Sequence, residues 1–323
     1  MKRQQGIALL SVVLITAAMT LALTLFGEQI QRDAHRQKNL RLYQQSWWYA
    51  DSAEQIVAYS LKELNKEKTT HLNQPWAIGE QVYPVEGGSV SGALSDMRAC
   101  FNLNSLVSGS EEGKAHPVAV KQFRSLLENL SVEELDPELL LSRTLDWLDA
   151  DYEENSIDGA EDRDYLEQEP GYYTANSLLA SADELLSTGV VNRKQMTEIL
   201  PFVCATPDNS GKVNINTLNE DKAPLLAALL FNRIDESTAS SIIDDRPEQG
   251  FNSAKDFLDL PELKDLPWTT DERKYLNRQL AVKSDVFLAS IKISFHDLTL
   301  SLESLFLIDG KEVYRVRRIL GET

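Results

Sequence analysis

The sequence is poor in the residues that carry most enzyme chemistry. It has two cysteines and four histidines in 323 residues, and His35, His71, His116 and His296 lie far apart along the chain. It contains no H-E-x-x-H metal pair and no G-x-S-x-G nucleophile elbow. We therefore predict that the protein is not an enzyme.

Positive charge is also scarce. The chain has 32 Lys and Arg against 50 Asp and Glu, a formal net charge of −18. Residues 1–44 carry a balance of +4, so the remaining 279 residues carry −22. Phosphate backbones and anionic lipid surfaces attract positively charged proteins, so a body this acidic argues against nucleic acid as a partner. Divalent cations are the partners that it would attract.

The two cysteines, Cys100 and Cys204, are far apart in sequence and form no C-x-x-C pair. This spacing does not suggest a zinc site. Two hypotheses remain open from the residues alone: two buried reduced thiols, or one disulfide if the body lies outside the cytoplasm.

The N-terminus carries the strongest signal. An uncharged apolar run of 20 residues extends from Ile7 to Phe26, and as a helix it spans about 30 Å, the thickness of a bilayer's hydrocarbon core. Lys2 and Arg3 precede it and favour a cytoplasmic N-terminus. Four basic residues follow it, at positions 32, 36, 38 and 41, so the charge bias does not settle the topology.

Beyond the apolar run, the pattern stays helical. Apolar residues recur at steps of three or four and form one stripe: Leu40, Tyr43, Trp47, Ala50, Ala53, Val57, Leu61 and Leu64. The first proline is Pro75. We predict one helix from about residue 7 to residue 64, roughly 87 Å long.

The rest of the chain changes character twice. Residues 80–103 alternate as strands, residues 117–282 have helical spacing with polar breaks, and residues 286–319 alternate again around an Asp309-Gly310 turn. This order predicts an α+β fold, in which a long N-terminal helix packs on an antiparallel sheet that carries a large helical insertion.

The leader, the apolar helix and this order of elements together resemble the K-type minor pseudopilins of bacterial type II secretion systems. The short basic leader ends in Gly6, and the apolar helix starts directly after it. By this resemblance, prepilin peptidase cuts between Gly6 and Ile7, and the new N-terminus is methylated. Most pseudopilins have Glu at the fifth mature position, where this chain has Ser11; in the family, that absence marks the subunit at the filament tip.

The resemblance implies the following division of the chain. Residues 1–6 are the leader, 7–27 the transmembrane part of the helix, and 28–65 its periplasmic part. Residues 66–105 and 283–323 form the pilin-like β-sheet body, and residues 106–282 form an all-α insertion. Cys100 and Cys204 would form a disulfide that ties the insertion to the sheet.

The resemblance also implies the function and partners. The protein would be anchored by a single span in the inner membrane with its body in the periplasm. There it would nucleate and cap the pseudopilus that serves protein export across the outer membrane. Its partners would be the I- and J-type minor pseudopilins, the major pseudopilin, prepilin peptidase and the inner-membrane secretion platform.

An acidic loop predicts a structural calcium site. The motif D-W-L-D-A-D at 146–151 is followed by G-A-E-D at 159–162. Crowded carboxylates without His or Cys favour calcium over zinc. The sixth position counted from Asp149 is a glutamate, so the loop is not an EF-hand. The two motifs resemble the family's calcium loop, and this resemblance gives the candidate ligands Asp149, Asp151, Glu161 and Asp162. Asp146 would orient these ligands without binding the ion itself. Asp158 lies close enough in sequence to contribute.

One alternative belongs to another functional class. Residues 213–261 resemble the helix-hairpin-helix units of DNA-binding competence proteins, which would make the protein a membrane-anchored periplasmic DNA-binding protein. Such hairpins use Gly-x-Gly to approach phosphate. Here the hairpin is predicted at 233–237, where there is no glycine and Asp235 and Glu236 would face the phosphate. We interpret this unit as a structural helical subdomain.

Overall fold

The computed structural model describes residues 4–107, 114–295 and 298–321. Parts of the predicted leader, insertion and C-terminal sheet segment (1–3, 108–113, 296–297 and 322–323) lie outside them. The helices are α1 Gln4–Leu64, α2 Pro117–Leu130, α3 Pro137–Leu148, α4 Asp162–Leu166, α5 Arg193–Ile199, α6 Ala223–Leu229, α7 Glu236–Asp244, α8 Ala254–Leu258, α9 Pro261–Lys264 and α10 Thr270–Gln279. The strands are β1 Gln81–Val85, β2 Gly88–Asp96, β3 Phe101–Asn102, β4 Val203–Cys204, β5 Val213–Asn214, β6 Leu280–Ala281, β7 Val286–Phe295, β8 Leu298–Asp309 and β9 Glu312–Gly321.

Helix α1 is a single rod of 61 residues, about 91 Å long. In its N-terminal half, residues 9–41 are exposed, with Leu14 and Phe26 at 66% and 67%. The body-side half packs on the sheet, with Ala50 and Leu61 fully buried. The predicted apolar stripe is thus confirmed from Ala50 to Leu64, whereas Leu40 is 53% exposed because the sheet does not reach that far along the rod.

The sheet has five antiparallel strands in the order β1-β2-β7-β8-β9. Helix α1 lies mainly over β7, β8 and β9. Alternate residues of these strands face the helix, and the core between the two layers includes Phe287, Ala289, Ile291, Ile293, Phe295, Leu302 and Phe306. The predicted turn is confirmed: Asp309 pairs with Glu312, and Gly310 has φ +59°, a conformation that glycine adopts without strain.

A buried glutamate fixes helix α1 to the last two strands of the sheet, β8 and β9. Glu54 of α1 is 3% exposed. Its carboxylate accepts hydrogen bonds from Arg318 Nε at 3.1 Å and Nη2 at 2.6 Å, and also from Arg315 and the Ser304 hydroxyl. A buried carboxylate is tolerated when its charge is paired and its oxygens are hydrogen-bonded. The interaction therefore sets the register between α1 and strands β8 and β9.

The helical unit fills the connection between two neighbouring strands. Chain 97–285 leaves after β2 and returns into β7, and these strands pair directly, with Asp96 opposite Phe287. The sequence placed this boundary at 105/106 and 282/283. Residues 97–105 instead belong with the helical unit, because β3 pairs in parallel with β4 inside it. The predicted all-α insertion also contains the short strands β4, β5 and β6.

The helical unit has its own hydrophobic core, which includes Phe101 and Phe123, stacked with ring centroids 5.4 Å apart. Local sequence signals start its helices. Asp136 caps α3 just before Pro137, and Thr269 and Glu272 form a capping box on α10. The two cores meet at the end of α1, where Thr70 N donates to Val282 O at 2.9 Å. The unit therefore sits at the end of the rod that points away from the apolar N-terminal half.

Candidate functional site

The acidic loop lies between the end of α3 and the start of α4. Asp149 is the C-terminal cap of α3, and Glu161 is the N-terminal cap of α4. The loop between them folds back, so that Asp149, Asp151 and Glu161 each place one carboxylate oxygen within 4.8 Å of the others. Three of the four predicted ligands therefore converge, although they are spread over 13 positions of the sequence.

Two carboxylate oxygens at this cluster are buried without compensation. Asp149 and Glu161 are 3% and 5% exposed. Asp149 Oδ1 and Glu161 Oε1 find no hydrogen-bond donor among the described residues. An unpaired buried carboxylate oxygen is costly, so such atoms need an explanation. A hard cation held by oxygen ligands would supply one, and these residues therefore fit calcium.

The electrostatics of the loop agree with this fit. Burial raises the pKa of Glu161 to about 7, and repulsion from Asp146 and Asp149 adds to the shift, while a hydrogen bond from Thr174 opposes it. Burial likewise raises the pKa of Asp149 to about 6, against a hydrogen bond from Asn155. Each shift means that the ionised carboxylate is less stable at this site than it would be in water. A bound cation would remove that penalty.

Asp146 holds the loop in shape. Its side chain is fully buried; Oδ1 accepts from Asn155 N at 2.9 Å and Nδ2 at 2.8 Å, and Oδ2 accepts from Ala160 N at 2.7 Å. A Cβ at Gly159 would lie 2.2 Å from Asp146 Oδ2, so only glycine fits there. Asp146 thus occupies the supporting position that the sequence suggested.

Asp162 does not face the cluster in this structure. Its Oδ1 accepts from Thr174 N at 3.0 Å and Thr174 Oγ1 at 2.5 Å, which anchors the following segment. This differs from its predicted role as a ligand, because the start of α4 turns the side chain toward residue 174. Asp158 is exposed and likewise outside the cluster.

Asn176 is a residue that sequence reasoning missed. Its Nδ2 donates to Asp151 O at 3.1 Å, and its Oδ1 is buried with no partner among the described residues. Its φ of +44° is one that Asn tolerates better than most residues. Asn176 is 25 positions from Asp151, so no spacing pattern could have identified it.

The first residues of the helical unit, directly after β2, are strongly cross-linked. Cys100 and Cys204 form a disulfide with Cα atoms 5.8 Å apart, so of the two hypotheses the disulfide is confirmed. Beside it, Arg98 is 1% exposed and pairs with Asp208 at 2.6 Å and Asp285 at 2.7 Å. Because these residues all lie between 97 and 285, the links fix the start of the helical unit to the rest of that unit, whereas the sequence had predicted that the disulfide ties the insertion to the sheet.

Asp96 adds a polar contact between the sheet and the helical unit. Its Oδ2 accepts from the Ser284 and Thr217 hydroxyls, both at 2.5 Å. Burial raises the pKa of Asp96 in spite of these hydrogen bonds. These hydrogen bonds connect the end of β2 directly to the helical unit, four residues before the disulfide at Cys100.

The helix-hairpin-helix resemblance is not matched by a phosphate site. The turn between α6 and α7 is at Phe231 and Asn232, which have φ of +59° and +52° and lie directly before the predicted hairpin at 233–237. The N-terminus of α7 is already capped by Asp235, which accepts from Thr238 N at 2.7 Å. Arg246 donates to two backbone carbonyls of its own unit. The groups that would bind a phosphate therefore already form hydrogen bonds within the protein, and Asp235 is negatively charged.

Helix α1 is long and apolar enough to cross a membrane. Among the described residues, it is the one helix with both the length and the apolar composition to do so. Its most apolar window has a mean hydropathy of 2.4, and none of the residues in that window is buried. A membrane-type rod, an antiparallel sheet packed on its outer half and a helical unit at its far end define a pilin-like architecture with a large insertion.

Comparisons with known proteins agree with this architecture. Two family models, both described as type II secretion system protein K, match residues 99–208 and 213–282. The type II secretion system protein K of Aeromonas hydrophila is 35% identical, over 99% of this chain and 98% of the relative. That of Klebsiella pneumoniae is 34% identical, over 99% and 97%.

A solved structure shows the same fold. A chain in the crystal structure of the GspK-GspI-GspJ complex from the type 2 secretion system of enterotoxigenic Escherichia coli aligns with a TM-score of 0.80 and 30% identity. The alignment covers 89% of this chain and all of that one. The chain described here belongs to the type II secretion system protein K family, the K-type minor pseudopilins. That family is structural, and the predicted resemblance is confirmed.

Proposed function

We propose that this protein stands at the tip of the type II secretion pseudopilus, where it nucleates assembly with I- and J-type minor pseudopilins and caps the fibre. The observation that carries this proposal is the position of the helical unit. Residues 97–285 sit at the end of α1 opposite to its apolar half, and Asp96 at the end of β2 accepts hydrogen bonds from Ser284 and Thr217 of this unit. A unit of that size above the rod leaves no room for a subunit stacked on top.

The membrane half of α1 supports the same position. By family resemblance, prepilin peptidase removes the leader after Gly6, and the methylated chain starts at Ile7. Ser11 then stands where most pseudopilins have a glutamate that pairs with a neighbour's N-terminal amine. Ser11 carries no charge, so it cannot provide that ion pair, which is consistent with a subunit that has none above it.

The body would lie in the periplasm. A disulfide persists in oxidising compartments such as the periplasm, and α1 provides the inner-membrane anchor. The major pseudopilin, the prepilin peptidase and the inner-membrane secretion platform are the further partners of this proposal, and the energy for export would come from a separate cytoplasmic ATPase.

Calcium would have a structural role in this assembly. Asp149, Asp151 and Glu161 would hold the ion, with Asn176 Oδ1 close to the same loop. Bound calcium would neutralise the carboxylates and fix residues 149–176 on the surface of the helical unit. The DNA-binding alternative is not favoured, since Asp235 occupies the N-terminus of α7 and the body carries −22.

A deletion tests the capping role. Because Asp96 of β2 and Phe287 of β7 are directly paired in antiparallel register, residues 97–286 can be replaced by an Asn-Gly turn that joins Asp96 to Phe287. The truncated chain keeps α1, the sheet and the Glu54 contacts. We expect it to insert in the membrane but to support fewer and longer pseudopili, measured by electron microscopy of cells that overproduce the major pseudopilin. Fibres of unchanged number and length would refute the capping role.

N-terminal sequencing of the membrane-purified protein tests the processing. A methylated residue at position 7 is expected. An intact Met1 would indicate an ordinary signal anchor instead.

A further inference from the structure

Helix α10 presents a positively charged face to solvent. Four buried residues fix its other side to the helical unit: Glu272, Tyr275, Leu276 and Gln279. Positions 273, 274, 277 and 278 lie on the opposite side of the helix, and the residues there are exposed. Three of these residues are cations, and we call Arg273, Lys274 and Arg278 the α10 basic face.

This face is unusual in an acidic unit. Residues 97–285 contain 36 Asp and Glu against 18 Lys and Arg, so carboxylates outnumber cations two to one. Lys194, for example, pairs with Glu133 at 2.9 Å. The three side chains of the α10 basic face form no ion pair or hydrogen bond with any residue that the structure describes. Their charge is therefore not compensated within the protein.

The carboxylate nearest to this face in sequence already has other partners. Glu272 lies next to Arg273 in the chain but is buried. Its oxygens accept from Lys121 Nζ at 2.7 Å and from Arg233 Nη2 at 2.6 Å. Glu272 is thus held on the inner side of α10 and does not neutralise the outer side.

The cations of the α10 basic face also repel one another. Lys274 and Arg278 are four residues apart on the same helix, a spacing at which like charges destabilise it. The charge of Arg278 acts on its surroundings as well: burial lowers the pKa of His116, and Arg278 lowers it further. An anionic ligand would relieve both effects.

A depression beside the basic face provides space for a ligand. Its volume is about 640 Å³, and its lining includes the three cations, Asn277 and Trp268. Trp268 is fixed in place, because its Nε1 donates to Leu263 O at 3.2 Å and the Arg233 guanidinium stacks 5.2 Å from its ring centroid. Since the ring N–H is already used, the exposed part of Trp268 offers apolar contact. The depression therefore combines three positive charges with an apolar position where α10 begins.

We propose that the α10 basic face binds an acidic segment of a partner protein, with an apolar side chain of that segment against Trp268. Lys274 and Arg278 are about 6 Å apart along the helix axis. Alternate residues of an extended chain are about 6.6 Å apart and point to the same side. Carboxylates at alternate positions of an extended segment would therefore reach both cations. The proposal is independent of the position at the fibre tip.

The surroundings favour a short segment over a long polyanion. From Arg273 to Arg278 the basic face extends about 7.5 Å along the helix, and the Debye length is about 10 Å at 0.1 M salt. A nucleic acid duplex would extend beyond this distance over a unit in which acids outnumber bases, and such a surface repels phosphates. A segment of a few residues stays within the positive field.

Fluorescence anisotropy of labelled synthetic peptides, with the full chain in detergent, tests the proposal. The probe peptide is Phe-Ser-Glu-Ser-Glu-Ser-Glu, and the matched peptide has Gln at each Glu position. We expect the chain to bind the Glu peptide at about 0.1 M salt and to release it at about 1 M, where the Debye length is about 3 Å. Equal binding of the Gln peptide would overturn the proposal.

Charge reversal locates the site. The double variant Arg273→Glu, Lys274→Glu replaces two attractions by two repulsions and should weaken binding of the Glu peptide about tenfold. Arg193→Glu is the matched control, because Arg193 of α5 is likewise exposed and has no side-chain partner among the described residues. The control should bind as the wild type does. Unchanged binding by the double variant, or an equal loss in the control, would show that the peptide does not bind at α10.

Two further measurements complete the test. Trp268→Ala should weaken binding of the Glu peptide and leave its salt dependence unchanged, since the ring offers apolar contact; an unchanged affinity would contradict the proposed contact. A short DNA duplex that binds more tightly than the Glu peptide, and loses its affinity in the double variant, would identify a phosphate site and overturn the proposal. Arg273 and Lys274 are exposed, so the double variant should unfold at the wild-type temperature.

Discussion

The carboxylate cluster leads to a prediction whose sign depends on calcium. In Glu161→Gln, one of two buried carboxylates within 4.8 Å of each other becomes neutral. Two unit charges at that distance repel by about 3 kcal/mol at an effective dielectric constant of 20. Without calcium the variant should therefore be more stable than the wild type, by up to that amount. With calcium it should be less stable, because it has lost a charged ligand.

The pH dependence follows from the same group. The pKa of Glu161 is raised to about 7 in the folded chain without calcium, above the ordinary value of about 4.3. A raised carboxyl pKa means that the associated stability is present below the ordinary pKa and is lost as the pH rises through 7. The advantage of Glu161→Gln in chelator should therefore be small at pH 4.5 and fully developed above pH 7.

Thermal unfolding of the full chain in detergent measures both effects. For a unit of this size, 1 kcal/mol shifts the midpoint by about 2–4 °C, so the variant should unfold several degrees higher than the wild type in chelator. Calcium at 1,000 times its dissociation constant should raise the wild-type stability by about 4.1 kcal/mol, which exceeds the repulsion that the variant relieves and therefore reverses the order.

Calorimetric titration with calcium provides the control. Asp149→Ala and Asp151→Ala should lose binding, whereas Asp162→Asn should retain it, because Asp162 faces Thr174. A variant order that is the same with and without calcium, or an unchanged isotherm for Asp149→Ala, would refute the assignment of this cluster as the metal site.

Three further predictions concern the frame that holds the site. Replacing Glu54 with Leu removes the acceptor that the partly exposed Arg315 and Arg318 share and should cost about 1.5–3 kcal/mol in denaturant unfolding; a loss below 1 kcal/mol would contradict its role in fixing α1. Cys100→Ser opens a closed loop of 104 residues and should cost about 4–5 kcal/mol, whereas equal stability of reduced and oxidised protein would contradict this. Burial alone would raise the pKa of Glu272, but hydrogen bonds, including those from Lys121, lower it to about 2. Its contribution is therefore present above the ordinary pKa and lost as the pH falls toward 2, so Glu272→Gln should destabilise the protein at pH 7 and be indistinguishable from the wild type near pH 2.

Structural features that depend on neighbouring residues in the chain could be predicted from the sequence. The uncharged apolar run at 7–26 is stable only in lipid or in a protein core, so the N-terminal part of the rod was predictable. After it, apolar residues spaced by three and four positions lie on one face of a helix, so the packed half of the rod was predictable as well. Alternation at 286–319 with Asp309-Gly310 fixed the last hairpin for the same reason: side-chain direction repeats every two residues in a strand.

The tertiary structure decided everything that depends on residues distant in the chain. Glu54 is an ordinary helical glutamate in sequence, and only the packing of β8 and β9 brings its arginines to it. Asn176 joins the carboxylate loop, and Asp162 leaves it, because α4 and the segment after it fold back on α3. The open groove beside α1 exists because the five-stranded sheet is wider than the helix that covers it. Such features depend on the relative placement of whole elements, and local periodicity carries no information about that placement.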